Sequence, residues 1–236
     1  MQQIIIIILS VLLILFIISL LKRLLYFHPS KELLEIIPKF IPFNIQHLSG
    51  LKLSNNYRRI IIYFTDNKNN ITFIQNKLLL LHNILQCDIL TFNYSTFGNS
   101  KGILLSEQQL QDDVSLITAM VLKQYKCNNI ILYGHQIGAP LALYVARRYN
   151  IPFVILESPL PSIKYIFNKK FHKLLHIFFK EFNTSLYLDG YKGNSLILYN
   201  ENDTLNNLLF LCSQSVLIPN NDTLPFNEIK MFIGLN

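Results

Sequence analysis

The segment Ile130-Ile131-Leu132-Tyr133-Gly134-His135-Gln136-Ile137-Gly138-Ala139-Pro140 reads as an apolar strand that turns into a helix between two glycines. Glycines two residues before and two residues after one position permit a strained turn and close strand–helix packing, so the side chain between them stands at the carboxyl end of a sheet. A serine at that point, with a base to take its proton and N–H groups to hold an oxyanion, performs acyl transfer. Gln136 cannot, because an amide is neither a nucleophile nor a general base. A relocated nucleophile would fall to Ser95, Ser158 or Cys87, which lie near strand ends, but none of them sits on such a turn.

Other chemistry finds less support. His172 and His176 stand at i and i+4, a spacing that can hold a metal from one helical face, but no acidic neighbour or third ligand accompanies them, so no metal is expected. Cys87, Cys127 and Cys212 are odd in number and far apart, which suits buried thiols in a reduced compartment. No Gly-x-Gly-x-x-Gly turn or P-loop is present, so no nucleotide cofactor is expected. The net charge of +7 is compatible with nucleic acid or anionic lipid, but no nucleic-acid-binding module is recognisable.

The elements that must position Gln136 follow from periodicity. With 51% hydrophobic and 15% charged residues in a chain of 236, a disordered chain and a disulfide-stapled miniprotein are excluded. Strands are predicted at Arg58–Thr65, Cys87–Asn93, Asn129–Tyr133, Phe153–Glu157, Ser195–Tyr199 and Ser215–Ile218. These short, nearly all-apolar runs suit a parallel sheet buried on both faces. Helical patterns fall between them at Ile71–Leu85, Glu107–Lys126, Ile137–Tyr149, Ile163–Phe182 and Leu205–Gln214, and the alternation predicts a doubly wound α/β domain. The helix from Ile163 is basic and aromatic, with Lys164, Lys169, Lys170, Lys173 and Lys180 among Tyr165, Phe167, Phe171, Phe178 and Phe179. Such a helix lies either on an anionic membrane surface or over the sheet.

The run Ile4–Leu21 is interrupted only by Ser10 and Ser19, and as a helix it is about 27 Å long, close to the hydrocarbon thickness of a bilayer. Residues 1–23 are therefore expected to form an uncleaved transmembrane anchor and residues 24–236 one domain. Lys22 and Arg23 follow the run at once, which places the body on the cytosolic side by the positive-inside rule. Five Asn-x-Ser/Thr sequons, at Asn70, Asn93, Asn183, Asn202 and Asn221, point the other way.

Several segments, in order, resemble the α/β-hydrolases, in particular the membrane-anchored abhydrolase-domain group that includes serine esterases and acyl-protein thioesterases. Gly134-His135-Gln136-Ile137-Gly138 resembles the nucleophile elbow G-x-S-x-G, and Asn93-Tyr94-Ser95-Thr96-Phe97-Gly98-Asn99-Ser100-Lys101-Gly102 resembles D-Y-R-G-[YF]-G-x-S-x-G. Val154–Pro159 with Ser162 resembles the segment after the elbow helix, Leu198–Asp203 the strand end that presents the acidic triad member, and Asn220-Asn221-Asp222 the H-N-D of that group.

The resemblance implies a triad at Gln136, Asp203 and Asn220 and an oxyanion loop at Thr65 and Asp66. Asp203 matches the acid position, but Gln136 is no nucleophile, Asn220 cannot shuttle a proton, Asp66 sets a carboxylate where negative charge would develop, and none of the six histidines in the sequence follows Asp203. His135 is then expected to pack, and Asp203 to cap a helix from Leu205. The expectation is a membrane-anchored pseudohydrolase that binds or scaffolds, with an acyl chain or a peptide in a residual pocket. Its alternatives are a divergent serine esterase or acyl thioesterase with a relocated nucleophile, and a purely structural membrane protein.

Overall fold

The computed structural model describes residues 2–26, 30–31, 34–66, 71–104, 106–162, 182–201, 203, 205, 208–218 and 224–234. Their elements in chain order are α1 (Gln2–Tyr26), β1 (Ile41–Ile45), β2 (Leu48–Leu53), β3 (Ile60–Phe64), α2 (Gln75–Leu85), β4 (Asp88–Phe92), α3 (Glu107–Leu122), β5 (Ile130–His135), α4 (Gly138–Tyr149), β6 (Phe153–Glu157), α5 (Thr184–Asp189), β7 (Asn194–Tyr199), α6 (Leu208–Leu211), β8 (Gln214–Leu217) and α7 (Phe226–Phe232). A 3-10 turn, Ile71–Ile74, leads into α2.

The strands form one eight-stranded sheet in the order β1-β2-β4-β3-β5-β6-β7-β8. From β4 to β8 every pairing is parallel, while β2 is antiparallel to both β1 and β4. All six strands expected from the sequence are present, at slightly different bounds. The β1–β2 hairpin is an addition that the sequence reading left as an irregular, proline-punctuated stretch. Pro42 is tolerated because β1 is an edge strand, where a missing N–H breaks no ladder on its open side.

Every residue of β3 and β4 is buried, because helices cover both faces of the sheet. On one face Ile60, Ile62 and Phe64 pack with Leu110, Val114 and Ile117 of α3 and Leu141, Ala142 and Val145 of α4. On the other, Ile61, Tyr63, Ile131 and Tyr133 pack with Leu78, Leu81 and Leu85 of α2 and Ile229 and Phe232 of α7. The period-2 alternation along each strand thus divides a continuous apolar run between two cores. Ser106 caps α3 in a reciprocal capping box with Gln109.

One helical expectation changes and another falls on residues that are not described. The helix expected over Leu205–Gln214 shrinks to the single turn Leu208–Leu211, because Gln214 already pairs with Leu196 as the first residue of β8. The helix expected over Ile163–Phe182, with its lysines and with His172 and His176, lies at residues 163–181 outside the described residues, where Asn220 and His28 also fall. Helices α5 and α7 were not expected from the pattern.

After β4 the chain turns through Thr96 at φ 76 and Gly98 at φ 45. Thr96 stands where the D-Y-R-G pattern has glycine. A β-branched residue in the left-handed region is strained, and its buried hydroxyl finds no hydrogen-bond partner among the described residues. Thr96→Gly is therefore expected to raise the unfolding free energy by about 1 kcal/mol, read from urea denaturation of the full chain. A loss of stability would show that the turn tolerates the threonine without strain.

Candidate functional site

Gln136 follows β5 directly and adopts φ 50, the strained left-handed turn expected of an elbow. Its N–H donates to the Glu157 carbonyl at 3.0 Å, and its own carbonyl accepts from the Ala139 N–H at 3.1 Å. Both glycines are sterically required. A Cβ on Gly134 would lie 2.5 Å from the Gly138 carbonyl oxygen, and one on Gly138 would collide with the Phe64 carbonyl. The first turn of α4 therefore rests on the end of β3, which brings Thr65 and Asp66 beside the elbow. Thr65 is held by the Tyr94 hydroxyl, which donates to its carbonyl at 3.0 Å.

Below the elbow lies a cluster of ionisable groups that the sequence reading did not assemble. Glu157, at the end of β6, is buried and accepts from Lys77 Nζ of α2 at 2.5 Å and from the Tyr133 hydroxyl at 2.7 Å. Tyr133 stacks on Tyr63 with ring centroids 4.9 Å apart, and Lys77 Nζ lies 5.8 Å from both ring centres. Burial opposes the charged form of Glu157, but Lys77, His135 and Tyr133 outweigh it and hold the carboxyl below its ordinary value. A lysine among Leu78, Leu79 and Leu80 and a glutamate closing the apolar strand Phe153–Glu157 were the available signals.

His135 packs on this cluster, as expected, with Nδ1 3.9 Å from the Asp66 carboxylate. Burial lowers its pKa, and Lys77 lowers it further, against the opposite pull of Glu157 and Asp66. An adjoining cleft of about 450 Å³ is floored by Lys77 and Glu157 and walled by Leu80, Ile218, Leu224 and Phe226.

Asp203 lies in the turn after β7, and the helix start it is expected to cap falls partly outside the described residues. Its carboxylate accepts from the Asn200 N–H at 2.8 Å while its own N–H donates to the Asn200 carbonyl at 3.0 Å, and the next helical turn among the described residues is Leu208–Leu211. The three substitute nucleophiles scatter. Cys87 lies before β4, at the edge of the sheet opposite the elbow, with its thiol pushed up to about 11 by burial. Ser95 donates to Asp113 Oδ1 at 3.0 Å, and the other end of that contact is His47 Nε2 at 2.8 Å from the same oxygen. The order is serine, carboxylate, imidazole, so the base does not meet the hydroxyl, and acyl transfer needs the imidazole in the middle. Ser158, next after Glu157, adopts φ 44 and donates its N–H to the Leu198 carbonyl at 2.8 Å. Among the described residues no group of His, Cys, Asp and Glu is arranged to hold a metal.

Comparison with known proteins follows this geometry. An esterase of Pyrococcus furiosus superposes with a TM-score of 0.68 over 89% of this chain and 97% of its own, at 14% identity. The chain has the α/β-hydrolase fold. The capsule O-acetyltransferase of Neisseria meningitidis serogroup A is also similar, with a TM-score of 0.57 at 20% identity over 85% of this chain and 96% of its own.

In sequence, the chain is 38% identical over 80 residues to α/β-hydrolase domain-containing protein 17C of Mus musculus, a match covering 33% of this chain and 25% of that protein. It is 34% identical over 80 residues to protein 17B of Xenopus laevis, covering 33% and 27%. The matched region thus spans about a quarter of the length of these curated relatives. No family model matches.

Two outcomes are expected at this site. Lys77→Met leaves the Glu157 carboxylate buried without its cation and lowers stability by about 3 kcal/mol, whereas Lys77→Met with Glu157→Leu recovers most of that loss in denaturant titrations. Because the folded pKa of His135 is depressed, the unfolded chain binds the extra proton below about pH 6.5, so stability is full above that value and falls on acidification. His135→Gln should flatten the fall between about pH 6.5 and 5. An unchanged slope would remove His135 from the account.

Proposed function

We propose that this is a membrane-anchored α/β-hydrolase-fold protein without a working acyl-transfer site, acting by binding or scaffolding. The observation that carries the reading is Gln136: the elbow keeps its strained backbone and both glycines, yet presents an amide. Asp66 beside it adds a carboxylate to the loop that would have to accept a developing oxyanion. The apolar cleft floored by the Lys77–Glu157 pair suits an acyl chain or an apolar peptide segment, since binding needs no nucleophile.

Support for the anchor comes from α1. From Ile4 to Ile17 its large apolar side chains are exposed, and the Ser10 hydroxyl is satisfied within the helix by the Ile6 carbonyl at 2.8 Å. The side chains described in α1 are those of residues 2–17 and Leu20, and over the described residues no helix is long and apolar enough to cross a membrane. The anchor therefore rests on the apolar run Ile4–Leu21 of the sequence. The cytosolic placement of the body rests on Lys22 and Arg23. One of the opposing sequons is not a usable acceptor in the folded chain: Asn93 is buried and binds the Ile71 N–H at 3.0 Å.

A second reading, a divergent esterase or acyl thioesterase, is favoured only by Ser158, whose strained backbone stands one strand over from the elbow. Fluorophosphonate labelling and p-nitrophenyl ester hydrolysis by the full chain in detergent micelles separate the two. Neither signal is expected, and Gln136→Ser should leave turnover about 10³-fold or more below that of an intact triad. Turnover abolished by Ser158→Ala or Ser95→Ala would replace the binding reading with the enzymatic one.

A further inference from the structure

The tether that follows α1 joins the body at one edge of the sheet. The carbonyl of Ser30 accepts the Gly98 N–H at 3.0 Å, and Lys31 Nζ donates to the Gly98 carbonyl at 3.2 Å. Gly98 lies in the loop after β4, on the edge of the sheet where the parallel strands end and where Gln136 sits. Only residues 27–29 separate the end of α1 at Tyr26 from Ser30, so the two Cα atoms are at most about 14 Å apart. The strands themselves carry the opposite edge a further 17–20 Å away, roughly, before its loops are counted.

Exposed side chains on the tethered edge suit a lipid interface. Leu34 and Ile36 of the tether, Phe73 of the 3-10 turn after β3 and Ile103 of the loop after β4 are all exposed, with Ile103 at 62%. The tether is laid along this edge by its backbone, the Leu34 N–H donating to Thr72 Oγ1 at 3.0 Å and the Ile37 N–H to Gln75 Oε1 at 2.7 Å. Lys31 and Lys101 are exposed beside these apolar groups, an arrangement that places chains in the acyl boundary and cations among phosphates. Among the described residues the opposite edge is basic, with Arg58, Arg59, Lys123, Lys126, Arg147 and Arg148 before the parallel strands or at helix ends. Charge among these residues favours that edge, whereas the tether joins the body at the elbow edge.

We infer that the edge bearing the elbow is held against a phospholipid bilayer, with Leu34, Ile36, Phe73 and Ile103 at the headgroup level and the basic edge turned to water. This rests on the reading of α1 as an anchor. It places Gln136 on the bilayer-facing side of the domain.

The test is made on the full chain reconstituted in phosphatidylcholine–phosphatidylserine vesicles. In a background of Cys87→Ala, Cys127→Ser and Cys212→Ser, Phe73→Cys, Ile103→Cys and Lys192→Cys are labelled with an environment-sensitive fluorophore and exposed to a lipid carrying a shallow nitroxide. Loss of emission at positions 73 and 103 but not at 192 is the expected result. Loss at 192 alone, or at none of the three while the protein floats with the vesicles, overturns the orientation and leaves the anchor standing. Failure to float with vesicles removes the anchor and the orientation with it. Hydrogen exchange of the unsubstituted chain gives the same reading without variants: reconstitution should increase protection at residues 71–74 and 97–104 and not at 190–193, and the reverse pattern overturns the inference.

Discussion

The close approach of the first turn of α4 to the end of β3 is the constraint on which the site depends. Gly138 lies against the backbone of Phe64 and Thr65, and Gly134 lies against Gly138, with no space for a Cβ at either position. Three consequences follow from that contact alone. The chain must reverse sharply at Gln136, the Thr65–Asp66 loop must sit next to it, and α4 must cover the central strands that hold the core together. None of this involves the side chain at position 136. The steric requirement for an elbow is thus separable from the chemistry an elbow can carry, and a glutamine is accommodated without loss of the architecture.

The same separation appears in the electrostatics. Three carboxylates near the elbow edge are each engaged by neighbours rather than offered to a substrate: Glu157 by Lys77 and Tyr133, Asp113 by Ser95 and His47, Asp203 by the Asn200 backbone. Asp113 is instructive because it assembles a serine, a carboxylate and an imidazole with hydrogen-bond geometry. The carboxylate is central, accepting the Ser95 N–H at 2.7 Å as well as its hydroxyl, and burial pushes its pKa up against those bonds. Such a carboxylate braces three segments, the β1–β2 turn, the loop after β4 and α3, and it withdraws the serine from reaction instead of activating it.

The alternation of short, mostly apolar runs with helical patterns made the six parallel-sheet strands legible in the sequence, since strands covered on both faces lose the polar alternation of a half-exposed strand, although β8, at the sheet edge, is largely exposed. The elbow was legible from Gly134 and Gly138 because the space they vacate has a fixed spacing. The edge hairpin was not, because Pro42 and the half-exposed alternation of β1 imitate a loop. The Lys77–Glu157–Tyr133 cluster was beyond reach for a different reason: its members come from α2, β6 and β5, and no local pattern relates residues brought together only by the crossover order of the sheet. Asp203 accepts the Asn200 N–H, which lies upstream in the turn, a contact that helix periodicity does not reveal.

Three left-handed residues follow successive strands on the edge that bears the elbow. Thr96, Gln136 and Ser158 follow β4, β5 and β6, and each is a non-glycine residue in the left-handed region. Conformations of this kind cost about 1–3 kcal/mol each and persist only where surrounding contacts over-determine them. Those contacts are visible at two of the three: the Gln136 N–H is fixed to the Glu157 carbonyl, and the Ser158 N–H to the Leu198 carbonyl, so each strained residue is stitched to the neighbouring strand. These two bonds tie β5, β6 and β7 together at the edge that bears the elbow, and because they involve the backbone alone they do not depend on which side chain stands at position 136.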